Sequence, residues 1–421
     1  MSRWVKTGVL LLSFFVVSYV GLGYVLGKTS TDDSYRALTV YTEVLHRVQQ
    51  DYVEDPNLGL VTSGALHGLL ESLDPRSSYL SPREYAEYKK RSEVNAKGHI
   101  GVVLSKRFGY IMVVSVLHDS PAHKAGLRGG DILEAIAGFT TREMSIGQAE
   151  ILLAGDPGTP VKVSVVSRRV GAGSQAEEVE VVRREVSYPG VMADRLEGDI
   201  AYIRVPAFDA GKANEIRQKL IQFDRQGLRK LVLDLRECAA GEISEAIETA
   251  RLFVASGTLA TLRGQTISER KFTAGPDKVV WSHAVSVMIS DGTSGGAEVL
   301  ASALADNPRP TGGKVELVGE RTLGSASEQK LIPLDDGAAL ILTVANYYRA
   351  DGKAIPEEGV RPTVEVAAAT ESADFDESEP VTEPSVDAAL KKAIEVLTAP
   401  AAAPKKGQAN LSSRRPVDRA A

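Results

Sequence analysis

Apolar residues change their spacing along the chain, and this spacing predicts which elements form. Between residues 33 and 92 they recur every three or four positions, as in Leu38 and Tyr41, which is the period of an amphipathic helix. Ser81 and Glu84 stand three positions apart in the pattern of a capping box, which predicts that another helix begins there. The first part of the chain is therefore predicted to be helical.

Continuous apolar runs replace this period after residue 97. In residues 97–170 they enclose short helical patterns and predict a β-rich domain. In residues 171–368 they alternate with longer helical patterns, which predicts an α/β core. The apolar runs cover residues 101–104, 110–116, 161–166, 200–205, 230–235 and 284–290, and the helical patterns of the core cover 213–223, 244–256 and 297–306.

The chain opens with an apolar stretch, Gly8–Leu26, that carries no charge. Its 19 residues come close to the ~20 that span a bilayer, and Arg3 and Lys6 before it favour a cytoplasmic N-terminus. This predicts a cytoplasmic stub and a transmembrane signal anchor over residues 1–28. A cleaved signal peptide is the alternative, but the sequence after Leu26 lacks an A-x-A-like site, which favours the anchor.

Charge and composition exclude several classes of function. The net charge is −6, and seven acidic residues lie between Glu371 and Asp387; the rest of the chain has 48 acidic and 49 basic residues. A near-neutral body argues against a nucleic-acid partner. Cys238 is the only cysteine and the six histidines have no metal-binding spacing, so no metal or cofactor is expected. Residues 369–421, acidic and then rich in Ala and Pro, are predicted to be a disordered tail.

Residues 97–170 contain two phrases, Ser120–Asp131 and Gly155–Thr159, that resemble a PDZ domain in wording and spacing. The resemblance implies that an extended peptide adds to a sheet edge. It also implies that backbone N–H groups of the loop before the first core strand receive a terminal carboxylate. In this chain that loop consists of Gly98, His99, Ile100, Gly101 and Val102. Alternatively, its glycines only make a tight turn.

Further phrases between about residues 35 and 368 resemble the carboxyl-terminal processing, or tail-specific, serine peptidases. They are Ser72–Leu80, Ile200–Arg204, Leu233–Arg236, Val318–Gly324, Asn346–Tyr348 and Gly359–Pro362. The resemblance implies an α/β peptidase core (mixed α+β) over 171–368. A β-rich PDZ domain is inserted at 97–170, and an N-terminal helical region at 33–96 follows the transmembrane helix. With the anchor, it implies a single-pass protein of the inner (cytoplasmic) membrane whose bulk lies in the periplasm.

The resemblance implies a serine nucleophile and a lysine base, yet this chain departs at both positions. The family's serine stands three residues before a glutamate; three before Glu298 stands Gly295, and Ser294 lies one position early. The lysine follows a Thr-Phe-Gly turn, and Ser325 takes its place here. Gln329 matches the glutamine that orients the lysine.

The oxyanion loop departs as well. The family's Arg-Asn-Asn-Pro-Gly-Gly is replaced by Arg236–Gly241, in which Gly241 is kept and Ala240 stands for a glycine. Because a glycine of positive φ tolerates a side chain poorly, the alanine is expected to disturb the aim of the oxyanion donors. Restoring serine and lysine alone is therefore not expected to revive strong cleavage.

A rearranged catalytic site is an alternative. Ser294 is then a shifted nucleophile, with Glu298 one helical turn away as its base. Other residues considered do not match the family's positions: Lys314, Lys330, His283, and Cys238, for which a small buried apolar residue is the simpler interpretation.

Three functions follow from these observations. The first is an inactive peptidase, a scaffold or regulator that binds unfolded or C-terminal peptide segments of proteins. The second is an active serine endopeptidase that cleaves protein C-termini with Ser294. The third is a structural envelope protein. The expected partners are such peptide segments, the membrane through the N-terminal helix, and a homodimer or a complex with an active relative; no nucleic acid is expected.

Overall fold

The computed structural model describes residues 31–93, 98–107, 109–142, 144–167, 175–308, 315–356, 358–367 and 387–399. The chain divides into two compact units, 1–69 and 70–421. The first contains α1 (Thr31–Asp51) and most of α2 (Leu58–Glu71). The second begins with β1 (Ser78–Leu80) and α3 (Pro82–Glu93). The helical pattern predicted for this part of the chain is confirmed. So is the capping box, in which the Ser81 N–H donates to Glu84 Oε2 at 2.8 Å and the Glu84 N–H donates to Ser81 Oγ at 3.5 Å.

No helix in the described ranges is long and apolar enough to cross a bilayer, and this finding contradicts the predicted inner-membrane location. With 21 residues, α1 has the required length, but Arg36, Glu43 and Arg47 give it a charge content that hydrocarbon does not accept. The segment Gly8–Leu26, on which the prediction depends, lies outside the described residues.

The predicted PDZ region forms a six-stranded antiparallel sheet in which β3-β4-β5-β7-β8 lie in that order and β6 pairs with β5; β2 and β9 form a separate two-stranded sheet. Its elements are β2 (Gly98–His99), β3 (Val102–Arg107), β4 (Tyr110–Val116), α4 (Pro121–Lys124), β5 (Ile132–Ile136), β6 (Phe139–Thr140), α5 (Ile146–Leu153), β7 (Pro160–Val166), β8 (Glu177–Val182) and β9 (Arg184–Glu185). Buried Ile111, Leu133 and Leu153 belong to its core. Because β3 is an edge strand of this sheet, it offers the kind of edge to which a peptide adds.

A six-stranded sheet in the order β10-β11-β12-β15-β16-β19 forms the centre of the core. The core elements are β10 (Met192–Leu196), β11 (Ile200–Arg204), α6 (Lys212–Arg225), β12 (Lys230–Asp234), α7 (Ile243–Arg251), β13 (Thr258–Arg263), β14 (Arg270–Thr273), β15 (Ala284–Ile289), α8 (Gly296–Asp306), β16 (Val315–Gly319), β17 (Ser327–Pro333), β18 (Ala339–Tyr348) and β19 (Val364–Glu365). Pairing is parallel from β11 to β19, so the predicted α/β core is confirmed. The loops that follow β12, β15 and β16 leave the same edge of the sheet, where ligand sites of parallel sheets form.

A second, antiparallel sheet was not predicted. Its order is β1-β18-β13-β14, and β17 pairs with β18. It brings two segments far apart in sequence onto one surface: the loop before β1, which contains Arg76, and β17, which contains Gln329. Asp74 fixes that loop, because its carboxylate accepts the N–H groups of Arg76 at 2.8 Å and Ser77 at 2.9 Å and the hydroxyl of Thr343 at 3.1 Å.

Part of the predicted disordered tail is folded. Residues Ala388–Thr398 form α9, which packs on the central sheet with Ala393 fully buried. The apolar residues of this helix cover one face of the central sheet, so these residues are ordered and not part of a disordered tail. The buried sheet residues in this cluster are Ile200, Val232, Met288 and Val318.

Candidate active site

A cleft of about 360 Å³ opens where the loops after β12, β15 and β16 converge. It contains the family positions Gly295, Ser325 and Gln329, together with Gly241 of the oxyanion loop. The described residues that line it are Arg76, Ala239, Gly241, Glu242, Ile243, Ser244, Ile247, Arg270, Phe272, Gly295, Gly296, Ser325, Ser327, Glu328, Gln329 and Tyr347.

Gly295 holds the place at which a nucleophile would be presented. It precedes α8 with φ 58° and ψ −117°, a backbone conformation that side chains rarely adopt. A Cβ built there has no heavy atom within 4 Å, so a side chain at this position would enter open space. A strained strand-to-helix turn also exposes the nucleophilic serine of other hydrolases. Here the turn carries no side chain and so no nucleophile.

Ser294 points elsewhere. It is 3% exposed, is not among the residues that line the cleft, and its N–H donates to the carbonyl of Cys238 at 3.0 Å. Its Oγ lies 2.5 Å from Oγ of Ser325. The residue one position before the nucleophile position therefore bonds to the residue at the lysine position.

Glu298 is fully buried and organises this centre. Its carboxylate accepts the N–H groups of Gly295 at 3.0 Å, Gly324 at 2.6 Å and Ser325 at 2.8 Å, and the hydroxyl of Thr322 at 2.5 Å. Burial raises the pKa of Glu298 above its ordinary 4.5, and these hydrogen bonds lower it only in part. The carboxylate thus joins the loop of Gly295 to the loop of Ser325, and none of these four hydrogen bonds involves Ser294.

Ser325 and Gln329 both line the cleft, and the described part of its lining contains no lysine. The Gln329 side chain donates to the carbonyl of Arg76 at 2.8 Å, across the second sheet. The Arg76 guanidinium in turn donates to the carbonyl of Ser325 at 3.4 Å. In the family this glutamine orients the lysine. In this chain Gln329 instead holds the loop that contains Arg76.

The oxyanion loop requires a glycine at position 241. This residue has φ 103°, and a Cβ there would lie 2.3 Å from the carbonyl carbon of Phe208. The prediction that Ala240 occupies a positive-φ position is wrong, because the positive φ angles of this loop fall on Glu237 and Gly241. Among the described residues, the N–H groups of Ala240 and Gly241 have no acceptor, so both remain free to bind an oxygen.

The other candidates lie away from the cleft. His283 contacts Asp224, with Nε2 3.2 Å from Oδ1, and Lys330 is exposed on β17. Lys314 falls outside the described residues. Cys238 is completely buried, and burial raises the pKa of its thiol well above the usual range, which makes it a poor nucleophile. Among the described residues that line the cleft there is neither lysine nor histidine.

The candidate carboxylate loop of the PDZ region is closed by a side chain. The Gly101 N–H donates to Nδ1 of His99 at 2.9 Å, and a Cβ at Gly101 (φ 84°) would lie 2.3 Å from Cβ of Ser120. Burial lowers the pKa of His99, and nearby Arg183 lowers it further, so the ring is neutral at pH 7. The N–H of Ile100 has no acceptor among the described residues, but Ile100 is fully buried, so this donor is not open to a peptide carboxylate in this conformation.

Sequence reasoning missed two cleft residues, Arg76 and Arg270. Arg76 stands in the Ser72–Leu80 phrase that carries the family resemblance, and that phrase was the available signal. The sequence contains no such signal for Arg270, because its position in the cleft depends on the second sheet. Both are cations that line the cleft.

Comparisons with known proteins agree with this fold. A model of peptidase family S41 matches residues 199–366, and a PDZ domain model matches residues 112–167. A carboxy-terminal-processing protease of Bartonella bacilliformis is 29% identical over 360 residues, covering 84% of this chain and 80% of that protein. Carboxy-terminal processing protease CtpA of Bacillus subtilis is 27% identical over 346 residues, covering 82% of this chain and 72% of that protein.

A solved structure, that of the photosystem II D1 C-terminal processing protease, shares the fold with a TM-score of 0.63. The two sequences are 23% identical, and the alignment covers 78% of this chain and 92% of the solved one. The chain thus contains a peptidase family S41 domain and a PDZ domain, and it is similar to proteins named carboxy-terminal processing proteases, which is consistent with the carboxyl-terminal processing serine peptidase family.

Proposed function

We propose that this protein binds C-terminal or unfolded peptide segments of other proteins without cleaving them. The observation that carries this proposal is the pair of residues at the family's catalytic positions: Gly295 offers no nucleophile and Ser325 offers no base. Serine attack on an amide needs both a hydroxyl and a group that takes its proton. The protein would then act as a scaffold, or as the regulator of an active relative with which it forms a complex.

The cleft's cations support this proposal. Arg76 and Arg270 line it, and an arginine side chain stays protonated in proteins, so it does not serve as a general base. A lysine in the same surroundings could lose its proton once buried. The cleft thus retains groups that bind anions, and its described lining contains no lysine or histidine to act as the base.

The PDZ domain supports peptide binding through its edge strand β3. Two substitutions test the carboxylate loop. Both His99→Asp and His99→Asn keep an acceptor for the Gly101 N–H, but only the aspartate adds a negative charge. We expect His99→Asp to weaken PDZ binding of a peptide with a free C-terminus by about tenfold or more, and His99→Asn to weaken it less. Equal affinities in both variants would place the peptide carboxylate elsewhere.

A cleavage assay tests the absence of catalysis. The full chain would be incubated with a disordered protein substrate, with a Ser294→Ala variant in parallel and an active family member as the positive control. We expect no cleavage by either form. Cleavage by both forms would refute the proposal and show a nucleophile other than Ser294.

The contact between Ser294 Oγ and Ser325 Oγ favours one alternative, a serine endopeptidase with a shifted nucleophile, and the relatives are named as proteases. This alternative predicts covalent labelling of Ser294 by a serine-directed phosphonate and cleavage that Ser294→Ala abolishes. Its difficulty is chemical: Ser325 is no base, and four donors occupy the Glu298 carboxylate.

A further inference from the structure

We propose that the core cleft is itself a binding site for a free peptide C-terminus, with the terminal carboxylate held by Arg76 and the Gly241 N–H. This inference rests on the proposed function, because an active centre would turn over a peptide that lies there. It adds a second carboxylate site to the chain, apart from the loop of the PDZ domain.

The partners of the carboxylate lie around one loop cluster. Arg76 contacts the carbonyl of Ser325, Ser325 contacts Ser294, and Ser294 donates to the carbonyl of Cys238 in the oxyanion loop. This chain of contacts leads from the guanidinium to the oxyanion loop. Gly241 of that loop lines the same cleft as Arg76, and its N–H has no acceptor among the described residues. Guanidinium and amide donors together are suited to a planar carboxylate.

The substitution at position 295 makes room for this ligand. A serine Cβ would enter the open space in front of Gly295, where the structure has no heavy atom within 4 Å. In this chain the space stays clear. With about 360 Å³, the cleft falls within the roughly 300–1,000 Å³ typical of small-ligand sites.

Apolar residues form the wall that would receive the last side chain of the peptide. Ile247 and Tyr347 are buried, and Phe272 is half-buried with its ring centroid 6.2 Å from that of Tyr347. Together with Ile243 they line the cleft. The fitting ligand is therefore a peptide that ends in an apolar residue.

Two carboxylates, Glu242 and Glu328, also line the cleft, and Glu328 accepts the Tyr347 hydroxyl at 2.9 Å. They balance the charges of Arg76 and Arg270, so a terminal carboxylate must be recognised by direct hydrogen bonds rather than by a net positive field. A peptide amide keeps the shape and loses the charge, which makes it the discriminating probe.

Calorimetry with the full chain tests this site. The probes are a hexapeptide that ends in leucine with a free carboxylate and the same peptide with a C-terminal amide. In the His99→Asp background, which weakens the PDZ site, we expect one remaining site that binds the acid at least about tenfold better than the amide. Arg76→Gln and Arg270→Gln should each weaken this site, Arg76→Gln by about tenfold. Arg263→Gln is the matched control, since Arg263 lies outside the cleft and pairs with Glu269.

The outcomes separate the two proposals. If wild type binds the acid at one site only and His99→Asp removes all binding, the cleft proposal fails and PDZ binding stands. If the remaining site binds the acid and the amide with equal affinity, the cleft proposal also fails. It fails likewise if Arg76→Gln leaves the affinity of that site unchanged. If wild type binds neither peptide, both proposals are refuted.

Discussion

The hydroxyl oxygens of Ser294 and Ser325 lie 2.5 Å apart, and both residues are buried. One stands a position before the family's nucleophile and the other stands in place of its lysine. Their hydrogen bond ties the loop after β15 to the loop after β16, a connection that catalytic groups would otherwise make. The two loops that carry these family positions are therefore joined directly by side chains.

This geometry predicts that Gly295→Ser with Ser325→Lys gains peptidase activity. A serine Cβ at 295 meets no atom, and burial at 325 lowers the pKa of a lysine towards the working range. Because the backbone at Ala240 has no positive φ, the reason to expect failure from the sequence does not hold. We expect the double variant to cleave a disordered substrate at least about tenfold faster than either single variant.

The control for this experiment is Gly295→Ala, which introduces the same backbone strain, of about 1–3 kcal/mol, without a hydroxyl. Thermal unfolding of all variants shows whether the fold survives. If the double variant is folded and no faster than the single ones, the loss of catalysis extends beyond the two side chains.

The sequence predicts the central sheet well because each strand there is a continuous apolar run. The runs at 200–205, 230–235 and 284–290 become β11, β12 and β15, and parallel pairing brings their loops to one edge. The contact between Gln329 and Arg76 is different in kind. It joins residues 253 positions apart through the second sheet, and no local period reports such a pairing.

Substitution of Glu298 is predicted to cause a large loss of stability. Glu298→Gln retains one acceptor oxygen for the four donors that the carboxylate serves, and unpaired buried donors cost free energy. We expect the free energy of unfolding in denaturant to fall by about 2–4 kcal/mol. Glu242→Gln, at the exposed start of α7, is the control and should change it by less than about 0.5 kcal/mol.

The raised pKa of Glu298 also gives a pH dependence. The folded state binds the proton more tightly than the unfolded chain, so this group contributes stability that is full below its ordinary 4.5 and is lost as pH rises through the folded pKa. The stability of wild type relative to Glu298→Gln should therefore increase when pH is lowered from about 7 to about 5. A difference that shrinks on acidification would show that the carboxylate's pKa is lowered instead.

Substitutions at two neighbouring positions of the oxyanion loop are predicted to destabilise the fold to very different extents. Gly241→Ala forces a Cβ to within 2.3 Å of the Phe208 backbone, so the loop must move, and we expect a loss of about 2–4 kcal/mol in unfolding free energy. Ala240→Gly needs no rearrangement and should cost only about 0.4–1 kcal/mol, through the unfolded chain. Peptide binding in the cleft should follow the same order. A gain of stability in Ala240→Gly would instead show that Ala240 is strained.

Asp387 connects α9 to the oxyanion loop. As the N-cap of α9, its carboxylate accepts the Leu390 N–H at 3.0 Å. The same carboxylate pairs at 2.8 Å with Arg236, the first residue of the oxyanion loop. Asp387→Asn can keep the cap and loses the ion pair, whereas Asp387→Ala loses both. We expect unfolding free energies lower by about 0.5–1 kcal/mol for the asparagine and by about 1–2 kcal/mol for the alanine.

Hydrogen exchange and pH separate the two contributions of Asp387. Burial opposes ionisation, but Arg236 and the helix N–H groups outweigh it, so the pKa of Asp387 lies below its ordinary 3.8. The stabilisation is present above that value and is lost as pH falls through the folded pKa, so the advantage of wild type over Asp387→Asn should fade between about pH 4 and pH 2. Amides of α9 should exchange faster in Asp387→Ala than in Asp387→Asn. If exchange is unchanged in both variants, apolar packing of Ala393 and its neighbours alone holds the helix on the sheet.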